Sequence, residues 1–130
     1  MSPLLLAGLA LQAAAAAAPP APQWQGLGTH DGIETAIDPA SIVQADGGRV
    51  RVRIRGIAQA AGPDGIKTVA GTSEIDCAAG TATALDAKGY DAAGRLLLNA
   101  IVPAAERQAA PIRPDSPNAA VRAAVCTPRR

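Results

Sequence analysis

The clearest pattern in the chain is Arg49-Val50-Arg51-Val52-Arg53-Ile54-Arg55, where basic and apolar residues change places at every step. Successive side chains of a strand point to opposite faces. This period of two therefore predicts a half-buried strand with Val50, Val52 and Ile54 inward and four arginines outward. The turn-rich segment Ala61-Gly62-Pro63-Asp64-Gly65 follows, then a second extended stretch from Ile66 to Cys77, in which Val69, Ile75 and Cys77 share one parity. Together they predict a hairpin. A turn centred at Gly62 and Pro63 places Arg51 opposite Glu74, Arg49 opposite Asp76 and Val50 opposite Ile75.

Weaker patterns extend the sheet on both sides. Trp24 to Gly28 and Ile33 to Ile37 are short strand candidates separated by the polar stretch Thr29-His30-Asp31-Gly32. Gly80 to Tyr90, with Thr81, Thr83 and Leu85 alternating, reads as one strand, and Tyr90-Asp91-Ala92-Ala93-Gly94 as a turn leading into another over Arg95 to Val102. Near the end, Ser116 can cap a helix with Pro117 in its first position, and nothing from Asn118 to Cys126 breaks it. The expected fold is α+β: an antiparallel sheet of about five to six strands with a C-terminal helix.

The first residues carry a different message. Pro3 to Ala18 is an uncharged run of mainly Leu and Ala ending in small residues before Pro19, Pro20 and Pro22, the pattern of a secretory signal peptide. It is too short to span a bilayer, which takes about 20 apolar residues. We expect a signal peptide over residues 1–18 and a single domain over residues 19–130. No cysteine follows the run to carry a lipid anchor, so the mature protein is expected to be periplasmic or extracellular, without a transmembrane segment.

Composition limits what that domain can be. Hydrophobic residues make up 48% of the 130, yet there is no Phe and only Trp24 and Tyr90 are aromatic. A core so rich in alanine removes little apolar surface from water and benefits from a covalent staple. Cys77 and Cys126 are the only thiols, they lack the spacing of a redox or zinc motif, and in an oxidising compartment they are expected to pair. Such a bond would tie the terminal helix to the strand ending at Cys77. The formal charge of +1 lacks the basic excess that nucleic-acid binding calls for.

Several steps along the chain form an ordered set: Trp24, Ile37-Asp38-Pro39-Ala40-Ser41-Ile42, the Arg/Val strand, Glu74-Ile75-Asp76-Cys77, Tyr90-Asp91-Ala92-Ala93-Gly94, Ile112-Arg113-Pro114-Asp115-Ser116 and Val125-Cys126. In this order the sequence resembles the surface-adhesin protein E-like family. The resemblance implies an antiparallel sheet packed on helix, with a disulfide from the C-terminal helix to a strand. It also implies a binding role, since members include surface lipoproteins that bind host extracellular-matrix and serum proteins. It assigns no individual binding residue here.

Candidate chemistry is sparse. His30 is the only histidine, and its neighbours Asp31 and Glu34 lack the spacing of a metal motif. Asp38, Asp76, Asp86 and Asp91 are scattered over turns and strands, where each has a simpler task as a turn acceptor or cross-strand partner. We expect no catalytic residues, metal or cofactor. The one sharp feature is the stripe Arg49, Arg51, Arg53 and Arg55, a possible anion-binding face. The functional expectation is an exported, non-enzymatic module that contacts host or envelope proteins. The alternatives are a periplasmic polyanion or lipid-headgroup binder using that stripe, or a small envelope enzyme inhibitor.

Overall fold

A computed structural model describes residues 21–126, so the expected signal peptide lies outside the described residues. Eight strands and one helix follow one another: β1 (Gln25–His30), β2 (Ile33–Ala45), β3 (Arg49–Ala58), β4 (Thr68–Asp76), β5 (Thr81–Ala84), β6 (Asp86–Tyr90), β7 (Leu96–Ile101), β8 (Ala110–Pro111) and α1 (Pro117–Val125). All pairings are antiparallel. The order is β1-β2-β3-β4-β5-β8, with β6 also on β4 and β7 on β6.

The central hairpin has the expected register: Arg49 faces Asp76, Val50 faces Ile75 and Arg51 faces Glu74. Its connection closes through Gly62 N–H to Ile66 O at 3.0 Å and Gly65 N–H to Gly62 O at 2.9 Å. Elsewhere the sheet departs from its sequence pattern for local reasons. The polar stretch before β2 is a two-residue turn, because Asp31 (φ 54°) and Gly32 (φ 74°) both take the left-handed backbone that matches strand twist. β1 and β2 thus extend to His30 and Ile33. β2 also continues past Asp38 to Ala45, through an irregularity where Ser41 stands in for the ladder. The Ser41 hydroxyl accepts from Arg53 N–H at 2.8 Å and donates to Asp38 O at 2.6 Å, while Asp38 Oδ1 accepts from Ala40 N–H.

The expected strand from Gly80 to Tyr90 is broken in two, which raises the strand count above the five to six expected. Ser73 faces Ala84 but Ala70 faces Lys88, so the β5–β6 side carries one extra residue, a bulge beside Leu85 and Asp86. Leu85 N–H donates to Thr72 O at 2.9 Å, and Thr72 N–H turns to the Asp86 side chain at 3.0 Å. Gly71 lies under the bulge, and a Cβ there would collide with the Asp86 carbonyl oxygen. Period-two alternation cannot signal such a break, since each half alternates correctly.

The core lies on one face, where Val52, Ile75 and Val121 are fully buried among Ile37 and Ala82, with Ile54, Cys77 and Val125 around them. α1 packs there, across β1, β2 and β3. Ser116 caps it by accepting from Ala119 N–H at 3.2 Å, and Pro117 needs no partner in the first turn. Cys77 and Cys126 are bonded, with Cα atoms 5.7 Å apart. The Arg122 guanidinium adds a hydrogen bond to Cys77 O at 2.7 Å. With a small aliphatic core, this anchorage at the helix end is a large part of what holds α1 to the sheet.

Candidate functional site

The face away from the core carries the four arginines of β3, and β4 divides them by what it places opposite. Arg49 and Arg51 lie across from acids. Arg51 Nε donates to Glu74 Oε2 at 2.8 Å, and Arg49 Nε is 3.6 Å from Asp76 Oδ2 and 3.9 Å from Glu74 Oε1. Asp76 is itself held below its ordinary pKa, chiefly by the hydrogen bond it accepts from Ala79 N–H; burial opposes this, and the Arg49 charge adds to it. Two cations and two carboxylates thus close on each other.

Arg53 and Arg55 face Thr72 and Ala70 instead. Among the described residues neither forms an ion pair, and Arg55 Nε is buried with no hydrogen-bond partner. Arg55 stacks on Trp24, its guanidinium carbon 5.0 Å from the ring centroid. Thr68, Ala70 and Gly71 of β4 are short, whereas the strands on either side carry long side chains, so the face sinks into a cleft of about 280 Å³. Arg53, Arg55 and Trp24 form one side. Lys88, Tyr90 and Asp86 of β6 form the other.

The bulge is what brings β6 into this arrangement. By adding a residue after β5 it sets Lys88 opposite Ala70 and Tyr90 opposite Thr68. The Asp91 turn then fixes the end of β6: its Oδ1 accepts from Ala93 N–H and Arg95 N–H. These bonds, first that from Arg95, and the Arg95 guanidinium hold the Asp91 carboxyl below its ordinary pKa against burial. The result is three cations, one carboxylate and the only two aromatic residues of the chain around one depression. Such a cleft can bind an anionic group through unused guanidinium donors, with apolar ring surface beside it. Trp24 stood out in the sequence only as part of the family pattern, and Lys88 and Tyr90 did not stand out as site residues at all.

The remaining candidates have structural partners. His30 Nε2 donates to Leu27 O at 2.9 Å, and Asp31 pairs with Arg113 at 3.2 Å, joining the β1–β2 turn to the segment before α1. Asp38, Asp76, Asp86 and Asp91 each accept a backbone N–H at a turn or bulge. A second exposed feature is β7, whose outer edge has no neighbouring strand among the described residues. It carries Leu96, Leu97, Leu98 and Ile101, the last 78% exposed.

No curated protein matches the chain. Among solved structures, crystal form II of Haemophilus influenzae protein E is similar at a TM-score of 0.48 and 17% identity, over 85% of this chain and 96% of that one. The sequence model of the family described as surface-adhesin protein E matches residues 24–127, nearly all of the described chain and both cysteines. The chain belongs to the surface-adhesin protein E family.

Proposed function

We propose that the protein is an exported, non-enzymatic binding module, with residues 1–18 as leader and residues 19–130 as the domain, that contacts a host or envelope protein through its surface. Family membership supports an adhesive role. The structural observation that carries the reading is β7: an unpaired strand edge with four exposed aliphatic side chains is costly to leave in water and suits an extended apolar segment of a partner protein. Main-chain hydrogen bonds would extend the sheet, with Leu98 and Ile101 flanking the added strand on opposite faces. The test is surface-plasmon binding to a panel of purified extracellular-matrix and serum proteins at 0.15 M and 0.5 M salt. Saturable binding that persists at the higher salt and is lost in Leu98→Lys/Ile101→Lys supports the reading. Binding unchanged by that variant contradicts it.

A second reading is favoured by the open half of the arginine face, which would take anions such as polyanion or lipid headgroup charges. Here Arg53 and Arg55 supply the binding, and Arg49 and Arg51, already paired, contribute little. Adsorption to vesicles containing phosphatidylglycerol, weakened in Arg53→Gln/Arg55→Gln but not in Arg49→Gln/Arg51→Gln, is the expected result. Equal weakening by the two variants would count against it.

A further inference from the structure

We infer that the cleft between Arg55 and Tyr90 is a discrete site for an acidic sugar, a hydroxylated ring carrying a single carboxylate or sulfate. The inference rests on the anion reading above and narrows it from a charged face to one pocket with a defined ligand chemistry. Three features point there.

The first is an unused donor. Arg55 is held on Trp24 with its Nε buried and unpartnered, and among the described residues its guanidinium forms no ion pair, so the fork is left for an acceptor in the cleft. Arg53 and Lys88 stand nearby, also without ion pairs among the described residues. The stacking fixes the plane of the Arg55 fork before any ligand arrives, so little side-chain entropy remains to be lost on binding.

The second is the lone carboxylate. Asp86 Oδ1 is engaged by Thr72 N–H, which holds the group in place at the cleft wall. A fully ionised phosphate has no proton to donate to it and would leave this acceptor facing an anion. A ring with one negative group and several hydroxyls would be attracted, since the carboxylate accepts hydroxyl protons while the cations take the acid. The third is size and lining. At about 280 Å³ the cleft is at the small end of ligand sites, enough for one ring, and Trp24 and Tyr90 give it apolar walls. The neighbouring groove along Arg49, Arg51, Glu74 and Asp76 is larger, about 480 Å³, but its charges are spent on each other.

Trp24 is the only tryptophan, so its emission reports on this cleft directly. The intact protein is titrated with glucuronic acid and galactose 6-sulfate, against glucose and sodium sulfate as controls. Both acidic sugars are expected to give a saturable change, with glucose and sulfate at least about tenfold weaker. Removing one charged hydrogen-bond partner weakens binding by about tenfold or more, so Arg53→Gln and Lys88→Gln, which leave the Trp24 stack intact, should do so. Arg51→Gln should not. Four outcomes overturn the inference: no response, a response to glucose of equal strength, a response to sulfate alone of equal strength (an adventitious ion only), or affinities unchanged in both cleft variants. The vesicle measurement separates this from the broader reading: adsorption that depends on Arg53 and Arg55 without any sugar response refutes the sugar site and leaves anion binding standing.

Discussion

Arg49 and Arg51 belong to the same strand, face and sequence pattern as Arg53 and Arg55, yet their surroundings differ. The first two meet Glu74 and Asp76 across β4 and have their charge answered within 2.8–3.9 Å. The second two meet Thr72 and Ala70, and their long side chains border a hollow instead of a partner. Side chains at alternate positions lie about 7 Å apart, so a row of four unanswered charges would repel within the Debye length at physiological salt. Neutralising one half confines the unanswered charge to the other. A repeated motif on one strand can therefore hold a paired half and an open half, and the residues opposite decide which is which.

That contrast depends on β4 staying in place, and its end is pinned by the disulfide. Closing a loop across a sequence separation of 49 is worth about 4 kcal/mol on the chain-entropy account. Cys126→Ser is expected to lower the melting temperature by roughly 15 °C or more, read by circular dichroism. A shift of only a few degrees would mean that the core alone holds the helix.

Gly71→Val tests the bulge that sets the cleft apart from the paired half. The new side chain meets the Asp86 carbonyl and Ala87, and forcing it in is expected to cost about 1–3 kcal/mol. It should also shift the Trp24 emission, since β6 must move. Urea denaturation checks the first effect, and an unchanged midpoint would show that the bulge is pliable.

Acid acts on both halves. Asp76 and Asp91 titrate below the ordinary aspartate value when folded, so the stability they add is complete above the unfolded value and is lost as pH falls through the folded ones, below about pH 4. Since Ala79 N–H outweighs Arg49 in lowering Asp76, Arg49→Gln should keep most of the acid sensitivity and Asp76→Asn should remove its share. Thermal midpoints from pH 6 to pH 2 decide this. The smallest effects belong to the exposed arginines: Arg51→Gln is expected to cost about 0–1 kcal/mol and Arg53→Gln to stay within about 0.5 kcal/mol of the parent. A larger loss in Arg53→Gln would show that it has a structural partner.

Much of the architecture was legible because it is written in local pattern. The alternation at Arg49–Arg55 and the turn residues at Gly62-Pro63 fixed the central hairpin to the residue, and Ser116-Pro117 marked the start of α1. The Asp31-Gly32 hairpin was also present as a signal, a dipeptide suited to two left-handed residues, but it was read as part of a longer polar stretch. The extension of β2 escaped because Pro39 and the Asp38–Ser41 irregularity interrupt its alternation, and only the folded chain shows Ser41 filling the gap. The cleft was least legible. Its parts come from β3, β4, β6 and the segment before β1, and their convergence depends on one extra residue near Leu85 that leaves both flanking patterns intact. One clue lay in plain view: Glu74 and Asp76 fall opposite the first two arginines, while Ala70 and Thr72 fall opposite the last two.

The central claim about the arginine face, that its anion-binding capacity lies with Arg53 and Arg55 and not with the whole stripe, is tested most directly by following the arginine Nε–H and Trp24 indole signals in nitrogen-15 NMR spectra as glucuronic acid is added. Arg53, Arg55 and Trp24 should shift together and saturate with one affinity, while Arg49 and Arg51 stay within their Glu74 and Asp76 pairs and do not move. Equal, unsaturated shifts along all four arginines would show a diffuse charged face and contradict the account.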